Sequence, residues 1–267
     1  MKTKKLNLKP ISFFFTLLAF CLISYFWGNW NGSNNSKKIN DKNIETLIDS
    51  VEIYKTKLDS FIVVDSLRKA NTFSYVYSAM HKYNPDIKDE TVELFLNITE
   101  KFNLDSTETL FNICISQILY ESGAQQHYSS RHSRSGQLVV SSANAIGISQ
   151  ITPPTSYDYL TKSLNSDDYC DLLDLGCDDL SFLKDQKYNY STKTKLVEWL
   201  SKEKNNLILW GYIIKQSLVK RNGNINYTLI AYNGGPGHLK SYISNNTNTN
   251  NHKYVRKIKL ISQNLDA

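Results

Sequence analysis

The sequence predicts a mainly α-helical protein with one small β element. Apolar residues recur at helical spacing in several stretches, most clearly in residues 91–102, 110–120 and 207–219. Glycine and proline are scarce, with 11 and 5 residues in a chain of 267. Gln137–Val140 is the one run with the pattern of a short strand. A chain of this length can bury one good core, so we expect one globular domain with N-terminal extensions.

Residues 1–30 have the pattern of a cytoplasmic tail and membrane anchor. Four lysines among the first nine residues precede the uncharged apolar run Ile11–Trp27. Such a run is either a short membrane-spanning helix or the core of a secretory signal. No small-residue cleavage site follows it, and Trp27 and Trp30 suit a membrane interface, which favours an uncleaved anchor. Since lysines stay on the cytoplasmic side, we expect inner-membrane anchoring with the remaining chain in the periplasm; secretion after signal cleavage is the alternative.

The charge of the chain does not indicate a nucleic-acid-binding protein. The formal net charge is +6, and the four N-terminal lysines supply four of these charges, which leaves +2 for everything after Pro10. A nucleic-acid surface needs a stronger basic patch than that. We therefore expect no nucleic-acid partner.

Residues 31–74 predict a polar linker followed by a helical stalk. Apolar residues alternate at steps of three and four through Ile44, Leu47, Val51, Tyr54, Leu58 and Phe61. This spacing is typical of a coiled coil, and it extends over about three heptads, the minimum length that indicates one. The segment 44–61 is either a stalk that binds an envelope machine or a second copy of the chain, or an amphipathic helix packed on the domain that follows.

A buried helix is predicted over Leu110–Tyr120, directly before Glu121. It is apolar on nearly every side, as buried helices are, and the preceding helix, Thr91–Phe102, is expected to pair with it. Asp105 and Glu108 form a capping-box pattern at its start, and Gly123 is expected to end it. Burial and the negative end of the helix would both raise the pKa of Glu121. A carboxyl that stays protonated near neutral pH can act as a general acid, for example in breaking a glycosidic bond.

Two further motifs follow in an informative order. Residues Ser141–Gln150 read Ser-Ser-Ala-Asn-Ala-Ile-Gly-Ile-Ser-Gln and are followed by Pro153-Pro154-Thr155, and residues 231–237 read Ala-Tyr-Asn-Gly-Gly-Pro-Gly. Together with Glu121-Ser122, they resemble the three signatures of the goose-type lysozyme and lytic transglycosylase family. The resemblance covers roughly residues 75–261. It implies a lysozyme-like transglycosylase domain over residues 75–267.

The resemblance also implies roles for individual residues. Glu121 would be the single catalytic acid and base, acting on the bond between N-acetylmuramic acid and N-acetylglucosamine in peptidoglycan glycan strands. The substrate-binding positions it implies are Ser122, Ser141, Gln150, Tyr232 and Asn233. The sugar's own acetamido group would stabilise C1, and its 6-hydroxyl would close a 1,6-anhydro ring. No cofactor and no metal are implied.

Four positions depart from the family pattern. Asn144 replaces a Gly, and Asn also tolerates positive φ. Ser149 replaces the usual Met, so we expect a more polar sugar subsite there. Gly234 replaces an Ala in the third motif. A fourth family signature, Asn-x-x-x-Gly, fits poorly because Asn206 is followed by Gly211 one position late.

Polar insertions separate the motifs. Residues 125–136 are basic and polar, and we interpret them either as a mobile lip over the cleft or as a solvated loop; His127 and His132 lack a third metal ligand there. The 158–205 insertion has six aspartates but not the calcium-loop pattern, so we expect a solvated face. Cys170 and Cys177 could form a disulfide outside the cytoplasm.

The last third of the chain predicts three helices and a turn. Residues 194–202 and 207–219 are helical in pattern, and residues 254–261 form a closing helix with basic residues facing solvent. Between them, the glycines of the third motif are expected to make a tight turn that directs Tyr232 and Asn233 into the cleft.

Three interpretations of function remain open at this point. The first is a lytic transglycosylase that cuts the β-1,4 bond with 1,6-anhydro product formation. The second is a goose-type lysozyme-like hydrolase, which needs a further carboxylate such as Asp158 to position water. The third is a non-catalytic glycan-binding scaffold of the cell envelope.

Overall fold

The computed structural model describes residues 50, 51, 53, 55, 56, 67–164, 166–184 and 186–265. The chain divides into two compact units, Met1–Lys69 and Ala70–Ala267. The predicted anchor, residues 11–27, lies outside the described residues, and so does most of the predicted stalk. Within the stalk, the five described residues are helical. No helix in the described part of the chain is both long and apolar enough to cross a bilayer.

The second unit is mainly helical, as predicted. From residue 67 onward, the described helices in chain order are α1 (helical over 67–83), α2 (Asp89–Lys101), α3 (Glu108–Ser122), α4 (Pro153–Ser163), α5 (Asp168–Asp174), α6 (Tyr190–Ser201), α7 (Glu203–Lys220), α8 (Ile225–Ser244) and α9 (Lys253–Ser262). Two short 3₁₀ turns, Ser181–Leu183 and Thr249–Asn251, precede α6 and α9. The five stretches predicted to be helical correspond to α2, α3, α6, α7 and α9.

The predicted strand at Gln137–Val140 does not form. Among the described residues, the β structure consists of isolated antiparallel bridges that pair His127 with Leu138, Val140 with Ile146, and Ile146 with Ile151. Gly147 and Gln150 have positive φ angles of 73° and 52°, which turn the chain between the paired residues Ile146 and Ile151. The segment around the second motif is therefore a compact series of turns.

Helix α3 contributes one continuous buried segment to the core, and its ends are defined by their caps. Thr107, not Asp105, is the N-cap, and its side chain accepts a hydrogen bond from the backbone N–H of Leu110 at 3.2 Å. At the other end, Gly123 adopts the left-handed conformation with φ 66°, as predicted. Between the caps, every residue from Ile113 to Leu119 is buried.

The neighbours of α3 differ in part from those expected. Helix α9 packs along α3, whereas α2 packs mainly against α7, which in turn contacts α8. The α2–α7 contact is close because Gly211 has no side chain: a Cβ there would lie 2.2 Å from Cγ2 of Ile98. Beside this contact, the rings of Phe95 and Trp210 stack with their centroids 5.4 Å apart. Between α2 and α3, the rings of Phe95 and Phe111 are in contact, with their centroids 6.1 Å apart.

The aspartates of the insertion form ion pairs with the core helices. Lys215 on α7 lies 2.9 Å from Asp168 and 3.4 Å from Asp171, and Lys101 on α2 lies 2.9 Å from Asp171 and 3.1 Å from Asp174. The acidic face is thus only partly solvated, because its carboxylates attach α5 to two core helices.

The disulfide expected between Cys170 and Cys177 is not formed in the structure. Cys170 is an exposed free thiol on α5, whereas Cys177 is a free thiol buried in the core cluster. The backbone N–H of Cys177 bonds to the carbonyl of Leu172, which ends α5 and turns the Cys177 side chain inward. The two sulfurs therefore occupy different environments.

Candidate active site

Glu121 lies in the last turn of α3, next to the left-handed Gly123. Protein surrounds its carboxyl group on most sides, yet the residue keeps some exposure to solvent. Burial raises the pKa of Glu121 from an ordinary 4.5 to about 7, and a hydrogen bond from Tyr254 opposes this shift. A substantial share of these carboxyl groups is therefore protonated at neutral pH, as the sequence led us to expect.

A chain of buried hydrogen bonds leads from the core to Glu121. The indole N–H of Trp210 donates to Oε1 of Gln117 at 3.2 Å, and Nε2 of Gln117 donates to the Tyr254 hydroxyl at 3.2 Å. The Tyr254 hydroxyl in turn donates to Oε1 of Glu121. Trp210, Gln117 and Tyr254 are all buried. Because each group in the chain is engaged, the Glu121 carboxyl is held in one orientation.

The first and second motifs are joined by Ser122. Its hydroxyl donates to the carbonyl of Ile148 at 2.6 Å and accepts from the backbone N–H of Gln125 at 3.1 Å. Gln150, at the end of the second motif, donates from Nε2 to the carbonyl of Gly147 at 2.8 Å. The turn that contains Gln150 is therefore fixed beside the end of α3.

The second and third motifs are joined by Tyr232. Its hydroxyl donates to the carbonyl of Ser149 at 2.6 Å. The pKa of Tyr232 is raised well above its ordinary value, first by burial and second by the negative charge of Glu121, so the phenol lies close to that carboxyl. The structure thus brings all three motifs together around Glu121.

The third motif is part of a helix and not the tight turn that the glycines predicted. Tyr232 and Asn233 lie within α8, which is broken at Gly235, where φ is 79° and ψ is 169°. Pro236 follows this break, as expected for a residue that cannot continue the hydrogen bonding of a helix. Asn233, one residue after Tyr232, is exposed. The motif therefore orients its side chains from a helix end.

The model of the transglycosylase SLT domain matches residues 121–255, which is just over half of the chain. The chain belongs to this family. Since SLT domains are peptidoglycan lytic transglycosylases with a lysozyme-like fold, the protein is a lytic transglycosylase in general terms. No curated protein and no solved structure matches the chain significantly.

The matched SLT span begins at Glu121 and ends at Val255, one residue beyond Tyr254. Tyr254 was not predicted as a site residue, because a tyrosine on the apolar face of a closing helix usually belongs to the core. Gln117 and Trp210 were not predicted either, because both lie within apolar helices, where a side chain usually belongs to the core. Their roles follow from contacts between residues that are 93 to 137 positions apart in sequence.

Gln126 and Asn206 hold the second motif of the SLT domain in place. Oε1 of Gln126 accepts from the backbone N–H of Ile148 at 2.9 Å, and Nδ2 of Asn206 donates to the carbonyl of Ile146 at 2.8 Å. Both side chains are buried. Gly147 makes room for Gln126, since a Cβ there would lie 2.3 Å from Oε1 of Gln126. The poorly fitting fourth signature was the one signal that pointed to Asn206.

Ser149 does not line a polar subsite, contrary to our expectation. It is fully buried, and its hydroxyl donates to Oδ1 of Asn206, whose side chain also accepts from the Ser149 backbone N–H at 3.0 Å. A methionine in this position would have no hydroxyl for Asn206 to bind. The departure from the family pattern is thus accounted for by an internal hydrogen bond.

Ser141 lies at the start of the second motif and shapes its turn. Its hydroxyl accepts from the backbone N–H groups of Ala143 at 3.2 Å and Ala145 at 3.1 Å. The Ser141 and Ser122 hydroxyls are therefore both engaged with backbone groups of the site.

The residues around Glu121 can support acid and base chemistry by a single carboxyl. Among the described residues, no second carboxylate contributes to the pKa shift of Glu121. No group of three or more histidine, cysteine, aspartate or glutamate side chains that could hold a metal ion occurs in the described part of the chain.

Proposed function

We propose that the protein cleaves the β-1,4 bond between N-acetylmuramic acid and N-acetylglucosamine in peptidoglycan, with Glu121 as both acid and base. The observation that supports this proposal is the pKa of about 7 at Glu121, produced by burial at the meeting point of three motifs. Such a carboxyl can give up a proton and later accept one at neutral pH.

In the first step, Glu121 donates its proton to the glycosidic oxygen and the bond from C1 to that oxygen breaks. The substrate's acetamido group stabilises the positive charge that develops at C1. The Tyr254 hydroxyl, which binds Oε1, stabilises the carboxylate that remains and leaves the second oxygen for the substrate.

In the second step, the Glu121 carboxylate removes the proton from the 6-hydroxyl of the N-acetylmuramic acid whose C1 bond has just been broken. The freed oxygen attacks C1 and closes the 1,6-anhydro ring. No water is consumed, so the atoms of the two products equal those of the substrate. Gln150, Tyr232 and Asn233 would hold the sugar and its acetamido group, while Ser122 and Ser141 would support the backbone around them.

Mass spectrometry of sacculi digested by the full chain tests this reaction. We expect 1,6-anhydro ends; reducing ends, which are heavier by one water, would instead establish the goose-type hydrolase.

Glu121→Gln is expected to lower lysis about a hundredfold or more, because general acid and base catalysis is lost. Asp158→Asn, which alters an exposed acid on α4, should match the wild type. Lysis that survives Glu121→Gln would refute the assignment, and sacculus binding without lysis by the wild type would favour the scaffold.

We further propose that residues 11–27 anchor the protein in the inner membrane, with residues 75–267 acting in the periplasm. The lysines that precede the apolar run support this orientation. Residues 44–61 would then form a stalk that binds an envelope machine or a second copy of the chain. Deleting this segment should change where the protein is found along the envelope while leaving sacculus lysis intact.

A further inference from the structure

A basic loop, residues 125–136, connects α3 to the second motif. The sequence from Ser122 to Tyr157 contains no aspartate and no glutamate, whereas the basic loop carries two arginines, Arg131 and Arg134. Both arginines are exposed. The proposed reaction at Glu121 uses neither of them, so their positive charges have no role in the chemistry described above.

Both ends of the basic loop are attached to the residues around Glu121. At its start, the backbone N–H of Gln125 donates to the Ser122 hydroxyl at 3.1 Å. Beyond its end, the carbonyl of Val139 accepts from the backbone N–H of Gly147, within the second motif, at 2.8 Å. The basic loop therefore stands at the edge of the proposed glycan site.

The tip of the basic loop is held by the turn that follows α1. Asp86, in that turn, accepts from the backbone N–H of Ser130 at 2.5 Å and from the Ser130 hydroxyl at 2.9 Å. These two hydrogen bonds first, and the charge of Arg131 more weakly, lower the pKa of Asp86. Among the described residues, neither arginine of the loop forms a salt bridge with a carboxylate. The tip thus has a defined conformation, and both positive charges face solvent.

Tyr128 sets the orientation of the second arginine. The guanidinium carbon of Arg134 lies 4.3 Å from the centroid of the Tyr128 ring, and its Nη2 donates to the Tyr128 hydroxyl at 2.6 Å. The imidazole of His132 stacks on the same ring, with centroids 4.2 Å apart, and its Nδ1 accepts from the backbone N–H of Arg134 at 3.0 Å. Since an arginine has five N–H donors, Arg134 keeps donors for a ligand while its guanidinium is held in place.

We propose that the basic loop binds carboxylates of the peptide stems that peptidoglycan carries, so that the protein prefers glycan strands with charged stems. The inference rests on the proposed function, in which the glycan strand lies beside Glu121. The N-acetylated sugars of such a strand are uncharged where a peptide is attached, so the negative charges of the substrate are on its peptides. Arg131 and Arg134 would meet these charges at the edge of the site.

The chemistry and the reach of a peptide stem both suit the basic loop. The planar guanidinium of an arginine matches a carboxylate through two parallel hydrogen bonds. An extended peptide spans up to about 3.5 Å per residue, so a stem of about four residues reaches roughly 14 Å from its sugar. Two guanidiniums are too few to hold a nucleic-acid strand, which is bound through many phosphate contacts. A short peptide with one or two carboxylates is the ligand that fits.

The affinity of the full-chain Glu121→Gln variant for soluble glycan strands tests the inference, since this variant should bind strands without cutting them. One sample of strands keeps its peptide carboxylates, and in the other they are converted to amides. We expect the charged strands to bind about fivefold more tightly, the size of effect that one or two exposed ion pairs give. Added salt should reduce this preference, because it screens exposed charges.

Replacing both loop arginines, Arg131→Gln with Arg134→Gln, should remove the preference and leave the affinity for amidated strands unchanged. The matched control is Lys193→Gln with Lys195→Gln, which removes the same charge from exposed positions on α6 and should keep the preference. Melting temperatures equal to that of the parent show that the variants are folded.

Equal affinity for charged and amidated strands would overturn the inference and leave the proposed function intact. The same holds for a preference that survives the loss of both arginines. A protein that binds neither kind of strand would overturn the inference and the proposed function together.

Discussion

In the reaction that we propose, Glu121 must hold a proton when substrate arrives, and its surroundings set the pH range in which it does so. Burial raises its pKa to about 7, while the hydrogen bond from Tyr254 acts in the opposite direction by stabilising the charged carboxylate. Activity that depends on the protonated acid should therefore fall as the pH rises through about 7. Burial sets the position of this decline first, and the Tyr254 hydroxyl shifts it to lower pH.

Tyr254→Phe should move the decline to higher pH and lower the maximal rate. Removing the hydroxyl leaves burial unopposed, so the pKa of Glu121 rises further. A hydrogen bond to a charged group is worth about 1.5–3 kcal/mol, so the rate should drop about tenfold or more. The pH profile of kcat/KM measures both effects. Tyr120→Phe, whose ring contacts Tyr254 edge-on, is the control; an unchanged profile for Tyr254→Phe would contradict the prediction.

Glu121→Gln should stabilise the protein in alkaline solution and not in acid. The carboxyl ionises near 4.5 when unfolded but near 7 when folded, so the folded protein holds the extra proton between these values. Stability of the wild type therefore falls with rising pH across this window, by about 3 kcal/mol in total. The variant lacks this loss. Urea unfolding at a pH below and above the window measures the difference, and an equal advantage at both would refute the explanation.

Single residues were predictable from the sequence where local pattern determined them. The position of Glu121 at the end of a helix was predicted from the apolar run before it and the glycine after it, and this position is confirmed. The role of Tyr254 was not predicted, because its contact with Glu121 spans 133 positions of sequence. The prediction for Ser149 was wrong for a related reason. Its hydrogen-bond partner Asn206 is 57 positions away, and Ser149 is buried against it instead of lining the cleft.

At the scale of elements, the second motif is a set of turns held by side chains from elsewhere. Asn206 on α7 binds both the Ser149 backbone and the carbonyl of Ile146, and Gln126 binds Ile148 from the opposite side. The Ser122 hydroxyl donates to the carbonyl of Ile148, and the Tyr232 hydroxyl donates to the carbonyl of Ser149. The geometry around Glu121 therefore depends on α7.

Asn206→Ala should cost about 3 kcal/mol of stability, since several buried hydrogen bonds are lost at once. It should also lower kcat, because the second motif loses its anchor. Asn205→Ala is the matched control: Asn205 is also buried on α7, but it binds Asp178 and the carbonyl of Trp199. Urea unfolding should show both variants destabilised, whereas sacculus lysis per folded molecule should fall for Asn206→Ala alone. Equal loss in both would mean that Asn206 acts only on stability.

Helices were the elements that the sequence predicted well, because apolar spacing at 3.6 residues per turn records a buried face directly. Their partners were harder to predict. Helix α2 was expected beside α3. It packs on α7 instead, because Gly211 has no side chain and lets Ile98 lie close to the α7 backbone. The predicted strand at Gln137–Val140 was wrong: Leu138 and Val140 make isolated bridges to different partners, and positive φ angles at Gly147 and Gln150 turn the chain between Ile146 and Ile151.

At the scale of the whole molecule, the two units should have separate tasks. Residues 67–267 contain α1 to α9 and every residue assigned to the reaction. We expect this piece to lyse purified sacculi at the rate of the full chain. The proposed anchor at residues 11–27 predicts that in cells the full chain fractionates with the inner membrane. Recovery of the full chain in the soluble periplasmic fraction would support signal cleavage instead, and a piece without activity would contradict the division.

The sequence predicted five of the helices from residue 67 onward but not how the insertion attaches to them. The aspartates at 168, 171 and 174 were predicted to form a solvated face. Their ion pairs with Lys101 and Lys215 join residues far apart in the chain, so the sequence alone did not reveal them. The same limit applies to Cys170 and Cys177, whose closeness in sequence suggested a bond that the structure does not contain.

Helix α3 has consequences for how this protein can evolve. The same helix buries seven consecutive side chains, Ile113 to Leu119, and carries the proposed acid at its end. A mutation that loosens their packing would let water reach Glu121 and lower its pKa, so a loss of rigidity is also a loss of reactivity. Purifying selection on catalysis should therefore fall on apolar residues that never touch the glycan, and drift in α3 should be slower than its distance from substrate would indicate.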